Sequence, residues 1–285
     1  PNHLPMETLN EFWINGVREE SVSAADRGLE FGDGLFETMR YYQGNIIALD
    51  FHLMRLETGL KRLSFPDSSS RVLSDLKTVI EHLTSLGNEN VIVRITVTRG
   101  VGSRGYEPDA SSLVNIIIKA SAINSSPIEQ SPPLTVGTAD FRLSIQPVLA
   151  GIKHTNRLEQ ILGSLEKKHK HLDELLLRNI DNIPISFISG NLFIRESKTL
   201  LTPILKSNGI EGTRRNLILS QLAADCGYSA LERNLSMERI AASDELIFCN
   251  TIHGIRSISR LDNTEWSDYS ASRSLHDSYF QRHLK

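Results

Sequence analysis

The sequence predicts an α+β protein of two domains, and three features of its 285 residues carry that prediction. Runs rich in β-branched residues alternate with apolar residues at helical spacing, so strands and helices share each half of the chain. Between the halves, the segment INSSPIEQSPPL at 123–134 gathers serine and proline without periodicity, which is linker composition. No internal repeat is visible, and the length suffices for one large or two modest cores. The expected division is a smaller N-terminal α+β domain over 1–122, a linker over 123–134 and a larger C-terminal domain over 135–285, with the functional site between the domains.

The elements follow in order. The polar start PNHLPMETLNE has no apolar signal region and reads as a frayed extension. Leu53, Leu56, Leu60 and Leu63 mark one amphipathic helix, and the stretch from Arg71 to Leu86 marks another. VIVRITVTRG at 91–100 and LVNIIIKA at 113–120 are β-branched, the first with enough alternation for one half-buried face. Beyond the linker, strands such as LTVGTA and ELIFCN alternate with helices at 156–172 and 213–225.

Composition excludes several classes. A net charge of −3 with no long basic run gives no electrostatic footprint for nucleic acid. No apolar run is long enough to cross a bilayer, so no membrane partner is expected. Cys226 and Cys249 are too few for a disulfide framework and lack metal-ligand spacing, which points to a reducing, cytoplasmic compartment. His52, His82, His154, His169, His171, His276 and His283 show no metal spacing either, and read as surface or capping residues.

The candidate for chemistry is Lys153, in AGIKHTNRLEQ at 150–160. Leu158, Ile161, Leu162 and Leu165 recur at helical spacing after it, and Thr155 or Asn156 is placed to cap the first turn. A lysine just outside a helix N-terminus, held by positive potential and desolvated, favours the neutral amine that attacks a carbonyl to make a Schiff base.

Eight blocks distributed along the chain add to this: FWINGV at 12–17, SAADRGLEFGDGLFETMR at 23–40, FHLMRL at 51–56, RGVGSRGYEP at 99–108, AGIKHTNRLEQIL at 150–162, SGNLF at 189–193, GIEGTRR at 209–215 and ELIFCNTIHGI at 245–255. Together they resemble the fold-type IV pyridoxal phosphate (PLP) enzymes, the scaffold of the D-amino-acid and branched-chain aminotransferases, and within them the aminodeoxychorismate lyases. The resemblance implies a homodimer that carries PLP on Lys153. It further implies elimination of pyruvate from 4-amino-4-deoxychorismate, giving 4-aminobenzoate for folate synthesis. Lys153 would act as general base, with Thr38 assisting protonation of the departing enol. A class IV aminotransferase acting on branched-chain or D-amino acids, and a PLP-binding protein that has lost the reaction, are the alternatives.

The PLP phosphate requires helix amides, hydroxyls and an arginine. Gly209 and Gly212 allow a tight turn into a helix opened by Thr213 and Arg214. By resemblance Thr213, Arg214 and Thr251 hold the phosphate with Arg55. The family's glutamate against the pyridine nitrogen lies five positions before the asparagine that is Asn191 here, so the position falls on Ser186. A serine hydroxyl leaves the ring largely neutral and the electron sink shallower, which disfavours transamination more than an elimination that ends in an aromatic product. A local insertion that lets Asp181 or Glu174 reach the nitrogen is the competing reading. For the two substrate carboxylates the candidates are Arg104, Tyr106 and Arg157, with His253 and Thr38 at family positions near the cofactor. Glycines 100, 102 and 105 make the Arg104 segment a loop able to close over a ligand. Glu37 is ambiguous, and Asp26, Arg27, Gly32, Asp33 and Gly34 read as turn residues that shape the fold.

Overall fold

The computed structural model describes residues 9–109 and 112–284, which form two compact units. One takes the described residues up to Ser126 together with Ile152–Asn156, and the other takes Pro127–Gly151 and the residues from Arg157 onward. The change of unit after Ser126 falls inside the segment read as linker. The return of 152–156 to the first unit has no compositional signal, so Lys153 groups with the N-terminal residues rather than with the C-terminal ones to which the sequence assigned it.

The first unit contains β1 (Asn10–Ile14), β2 (Val17–Arg18), α1 (Arg27–Phe31), β3 (Gly34–Tyr42), β4 (Asn45–Ile46), α2 (Leu49–Arg62), α3 (Ser69–Ser85), β5 (Asn90–Thr98) and β6 (Asn115–Ala122). Asn10 and Glu11, read as the end of a frayed extension, are therefore strand residues, and residues 1–8 of that extension lie outside the described residues. The strands form an antiparallel sheet in the order β2-β1-β6-β5-β3-β4. β3 and β5 pair without a slip from Gly34↔Thr98 to Tyr42↔Asn90, which fixes the faces of β3: Leu35, Glu37 and Met39 on one, Phe36, Thr38 and Arg40 on the other. α3 buries Val72, Leu76, Val79 and Leu83 at 0–2% exposure, the helical spacing read from the sequence, and each such side chain contributes about 1.5–3 kcal/mol.

The second unit contains β7 (Leu134–Leu143), α4 (Leu158–Lys170), β8 (Glu174–Asn179), β9 (Pro184–Phe187), β10 (Asn191–Glu196), β11 (Thr199–Thr202), α5 (Thr213–Leu217), α6 (Ala223–Asp225), β12 (Ser229–Glu232), α7 (Met237–Ala241), β13 (Glu245–Asn250), β14 (Gly254–Leu261), β15 (Thr264–Glu265) and α8 (Ser270–His283). Its sheet runs β12-β11-β10-β13-β14-β7-β8-β9, with β15 paired to β14. β7 lies parallel to both β14 and β8. α5 passes through a π-helical turn, Ile218–Leu222, into α6, so 213–225 is one helical run. Leu176, Phe187, Leu192, Ile194, Leu246 and Phe248 form the centre of its core.

α4 departs from expectation in the direction of its apolar face. Leu158, Ile161, Leu162 and Leu165 are 53–75% exposed, although their spacing is helical as read. The helix packs instead through Gly163, where an added Cβ would lie 3.0 Å from Ile188.

Candidate active site

Lys153 lies in an extended segment that docks on β3. The Phe36 amide donates to the Lys153 carbonyl at 2.9 Å and the Thr155 amide to the Gly34 carbonyl at 2.9 Å. The lysine Nζ stands 4.4 Å from the Phe36 ring centroid, on the face of β3 that also carries Thr38, and Lys153 is half-buried. The segment does not cap a helix as its sequence suggested. Thr155 Oγ1 donates to the carbonyls of Gly32 and Gly34, and Asn156 Nδ2 donates to Gly32. The N-cap of α4 is Arg157, without a side-chain capping bond. Lys153 is thus positioned by strand pairing to the 32–36 segment, not by a helix N-terminus.

The opposite face of β3 carries a buried ionic cluster. Glu37 accepts from His52 Nδ1 at 2.6 Å and from Arg55 Nε and Nη2 at 2.7 and 2.5 Å. Burial alone would push the Glu37 carboxyl up, but the Arg55 and His52 partners more than offset it and leave the group at about 2. Glu37, ambiguous in sequence, is therefore an anion that orients Arg55. His52 is 0% exposed, which corrects its reading as a surface or capping residue. His276, buried at 5%, needs the same correction.

In the second unit, the start of α5 offers an anion cradle. Gly212 is the N-cap and supplies no side chain, so the first amides of the helix have no capping partner from it. An added Cβ at Gly212 would lie 1.9 Å from Asn191 Oδ1, and Asn191 in turn donates through Nδ2 to the Ile210 carbonyl at 2.9 Å. Thr213 Oγ1 and Thr251 Oγ1 are 3.0 Å apart. Arg214 is 0% exposed, stacks over Tyr279 at 5.1 Å, and among the described residues none of its guanidinium nitrogens has a hydrogen-bond partner. The uncapped amides at this turn, beside the Thr213 and Thr251 hydroxyls, suit an anionic ligand. PLP, through its phosphate, meets that requirement.

Two asparagines shape this region and were missed in sequence. Asn191 closes on the Gly212 turn, and Asn250 Oδ1 accepts from the amides of Ile252 and His253 at 3.0 and 2.7 Å. The second is an Asx turn, and an asparagine closing ELIFCN just before TIHG was its only signal. His253 is exposed at the tip of that turn.

Ser186 lies on β9 opposite Leu177, is half-buried, and makes no side-chain hydrogen bond among the described residues. Glu174 is 3% exposed, and its oxygens accept from the amides of Leu175, Ile188 and Ser189 and from Ser189 Oγ. Its acceptor capacity is committed to that turn. Asp181 is exposed at the turn between β8 and β9.

Of the substrate candidates, Arg104 and Tyr106 belong to the first unit, both on the exposed connection from β5 to β6, with Tyr106 at 86% exposure. Arg157 belongs to the second unit, where burial lowers its guanidinium to about 10 against the opposing influence of Glu159. It remains a cation at neutral pH.

The fold and these groups define a class. The profile of the family described as "Amino-transferase class IV" matches residues 34–261, and the chain belongs to that family. Among its relatives, an aminodeoxychorismate lyase of Vibrio harveyi is 30% identical over 257 residues, covering 89% of this chain and 92% of that protein. A putative branched-chain-amino-acid aminotransferase of Methanocaldococcus jannaschii is 26% identical, covering 88% of each chain. The crystal structure of 4-amino-4-deoxychorismate lyase from Pseudomonas aeruginosa is similar to this structure with a TM-score of 0.85 and 31% identity, over 95% of this chain and 98% of that one.

Proposed function

We propose that this chain is a PLP-dependent 4-amino-4-deoxychorismate lyase that forms 4-aminobenzoate and pyruvate for folate synthesis. The observation that carries the reading is Lys153, whose amine stands over Phe36 on the Thr38 face of β3, in a chain 30% identical to the Vibrio lyase and 31% identical to the Pseudomonas one. Bound PLP supplies a carbonyl for amines and a conjugated ring that accepts electron density from the amine-bearing carbon.

Lys153 Nζ would form the covalent link to PLP, and Thr213, Arg214 and Thr251 would hold its phosphate. Arg55 contributes from the Glu37 cluster. With the substrate bound, Lys153 Nζ takes the proton from the amine-bearing ring carbon as general base. The C–H electrons form the new ring double bond, the neighbouring C–O bond breaks, and the enolpyruvyl group leaves with that pair. Thr38 assists delivery of a proton to the departing enol. Arg104, Tyr106, Arg157 and His253 bind the substrate's two carboxylates and ring. Ser186 would offer the pyridine nitrogen only a hydroxyl, which fixes no proton there and suits an elimination driven by aromatisation.

A homodimer belongs to this reading, because the exposed stripe Leu158, Ile161, Leu162 and Leu165 is an apolar helix face of the kind that a second copy covers. A cytoplasmic location belongs to it as well, supported by two unpaired cysteines; among the described residues no helix is long and apolar enough to cross a membrane. The second reading, a class IV aminotransferase, is favoured by the Methanocaldococcus relative. Lys153→Ala tests the first: it should lose both the visible absorbance of covalently held PLP and the release of 4-aminobenzoate, and retained turnover would remove the central assignment.

A further inference from the structure

The turn residues at 26–33 and the loop that carries Arg104 are joined by one side chain. Arg27 is 3% exposed and its guanidinium serves three acceptors. Nε donates to Asp33 Oδ2 at 3.0 Å, Nη1 to the Gly105 carbonyl at 2.9 Å and Nη2 to the Tyr106 carbonyl at 2.7 Å. The anchor behind it is itself fixed. Asp33 Oδ2 also accepts from Arg99 Nε at 2.8 Å, and Arg99 donates onward to the carbonyls of Leu63 and Ser64 at the end of α2.

The loop is shaped to receive this arginine. Gly102 passes so close that an added Cβ would lie 2.8 Å from Arg27 Cδ. The Arg27 guanidinium lies 4.9 Å from the Phe31 ring, and Phe31 meets Tyr106 edge-on at 5.4 Å. Asp109 closes the loop on itself by accepting from the amide and hydroxyl of Ser103. The carbonyls of 105 and 106 thus turn toward the buried arginine, while the Arg104 and Tyr106 side chains are exposed to solvent.

We infer that Arg27 is a positioning residue: it latches the 100–109 loop in the form that presents Arg104 to a substrate carboxylate. The inference rests on the reading of Arg104 as a carboxylate-binding residue. Three glycines in ten residues leave this loop many conformations, and a planar guanidinium fork can select one by holding two consecutive carbonyls against a fixed carboxylate. A lysine ammonium, a single point on a flexible stem, cannot span the same three acceptors.

The test compares wild type, Arg27→Lys, Arg104→Gln and the double variant by amide hydrogen exchange over 101–109 and by steady-state kinetics with aminodeoxychorismate. Arg27→Lys should speed exchange in the loop and raise KM about tenfold, the effect of losing part of a charged hydrogen-bond set, with kcat and PLP absorbance held. The double variant should have the KM of Arg104→Gln alone, since both changes remove one function. Gly102→Ala, which crowds the arginine from the loop side, should copy the KM rise and keeps the test open if Arg27→Lys fails to fold. A loop that stays protected, a fall in kcat at constant KM, or additive losses in the double variant would each overturn the latch. If wild type releases no 4-aminobenzoate, the lyase reading fails separately, and the exchange comparison alone then upholds or overturns the latch.

Discussion

Replacing Glu37 with glutamine keeps the shape of the side chain and removes its charge, leaving His52 and Arg55 packed around a neutral amide. The carboxyl sits at about 2 in the folded protein against an ordinary value of 4.5, and that depression corresponds to about 3 kcal/mol of folding stability at neutral pH. Because the folded value lies below the unfolded one, the contribution is complete above about pH 4.5 and is lost as pH falls toward about 2. Two of its oxygens' partners, Arg55 Nε and Nη2, would face an amide that can accept at only one end, which agrees with the cost of breaking a buried pair, about 3–5 kcal/mol. Urea unfolding followed by circular dichroism at a series of pH values reads this directly. Glu37→Gln should be about 3 kcal/mol less stable than wild type near neutrality, with the gap closing through the acid window. A gap that stays constant across that window, or one below about 1 kcal/mol at neutral pH, would refute the cluster as a stabilising ion set.

Three further outcomes are expected. Ser186→Glu should raise amino transfer to a keto acid relative to elimination, measured by alanine or glutamate formation beside 4-aminobenzoate; unchanged rates of both would dismiss a role for the hydroxyl at the ring nitrogen. Gly212→Ala places a Cβ 1.9 Å from Asn191 Oδ1, so it should destabilise the turn by about 1–3 kcal/mol and weaken PLP retention on gel filtration, whereas wild-type retention would deny the cradle. Leu162→Asp on the exposed stripe of α4 should shift the protein to the monomer in sedimentation velocity, and an unchanged assembly would remove α4 from the interface.

The sequence made much of the fold legible because periodicity survives folding. The helix at 71–86, the β-branched strands flanking the Arg104 loop and the helical run at 213–225 all lie within a few residues of their expected bounds. What periodicity cannot report is the direction a face points. The leucine stripe of α4 has the spacing of a core face yet is solvent-exposed in the single chain. Long-range pairing was equally hidden: Thr155 and Asn156 have capping chemistry, but their acceptors are the carbonyls of Gly32 and Gly34, more than a hundred residues away in sequence. For the same reason a histidine without metal spacing, His52, turned out to be buried against Glu37. Lys153 and the helix start at Thr213 carry local, glycine-led signals, whereas Thr251 enters only through the family resemblance. Asn191 and Asn250 were missed because their partners are backbone groups that no spacing reveals.

Lyase chemistry at Lys153 is tested by product stoichiometry from purified, PLP-loaded protein given aminodeoxychorismate without a keto acid. Wild type should release equal amounts of 4-aminobenzoate and pyruvate, and Lys153→Ala neither. Amino transfer to 2-oxoglutarate from L- or D-amino acids, with no 4-aminobenzoate formed, would contradict that chemistry and assign the chain to the aminotransferases of its family.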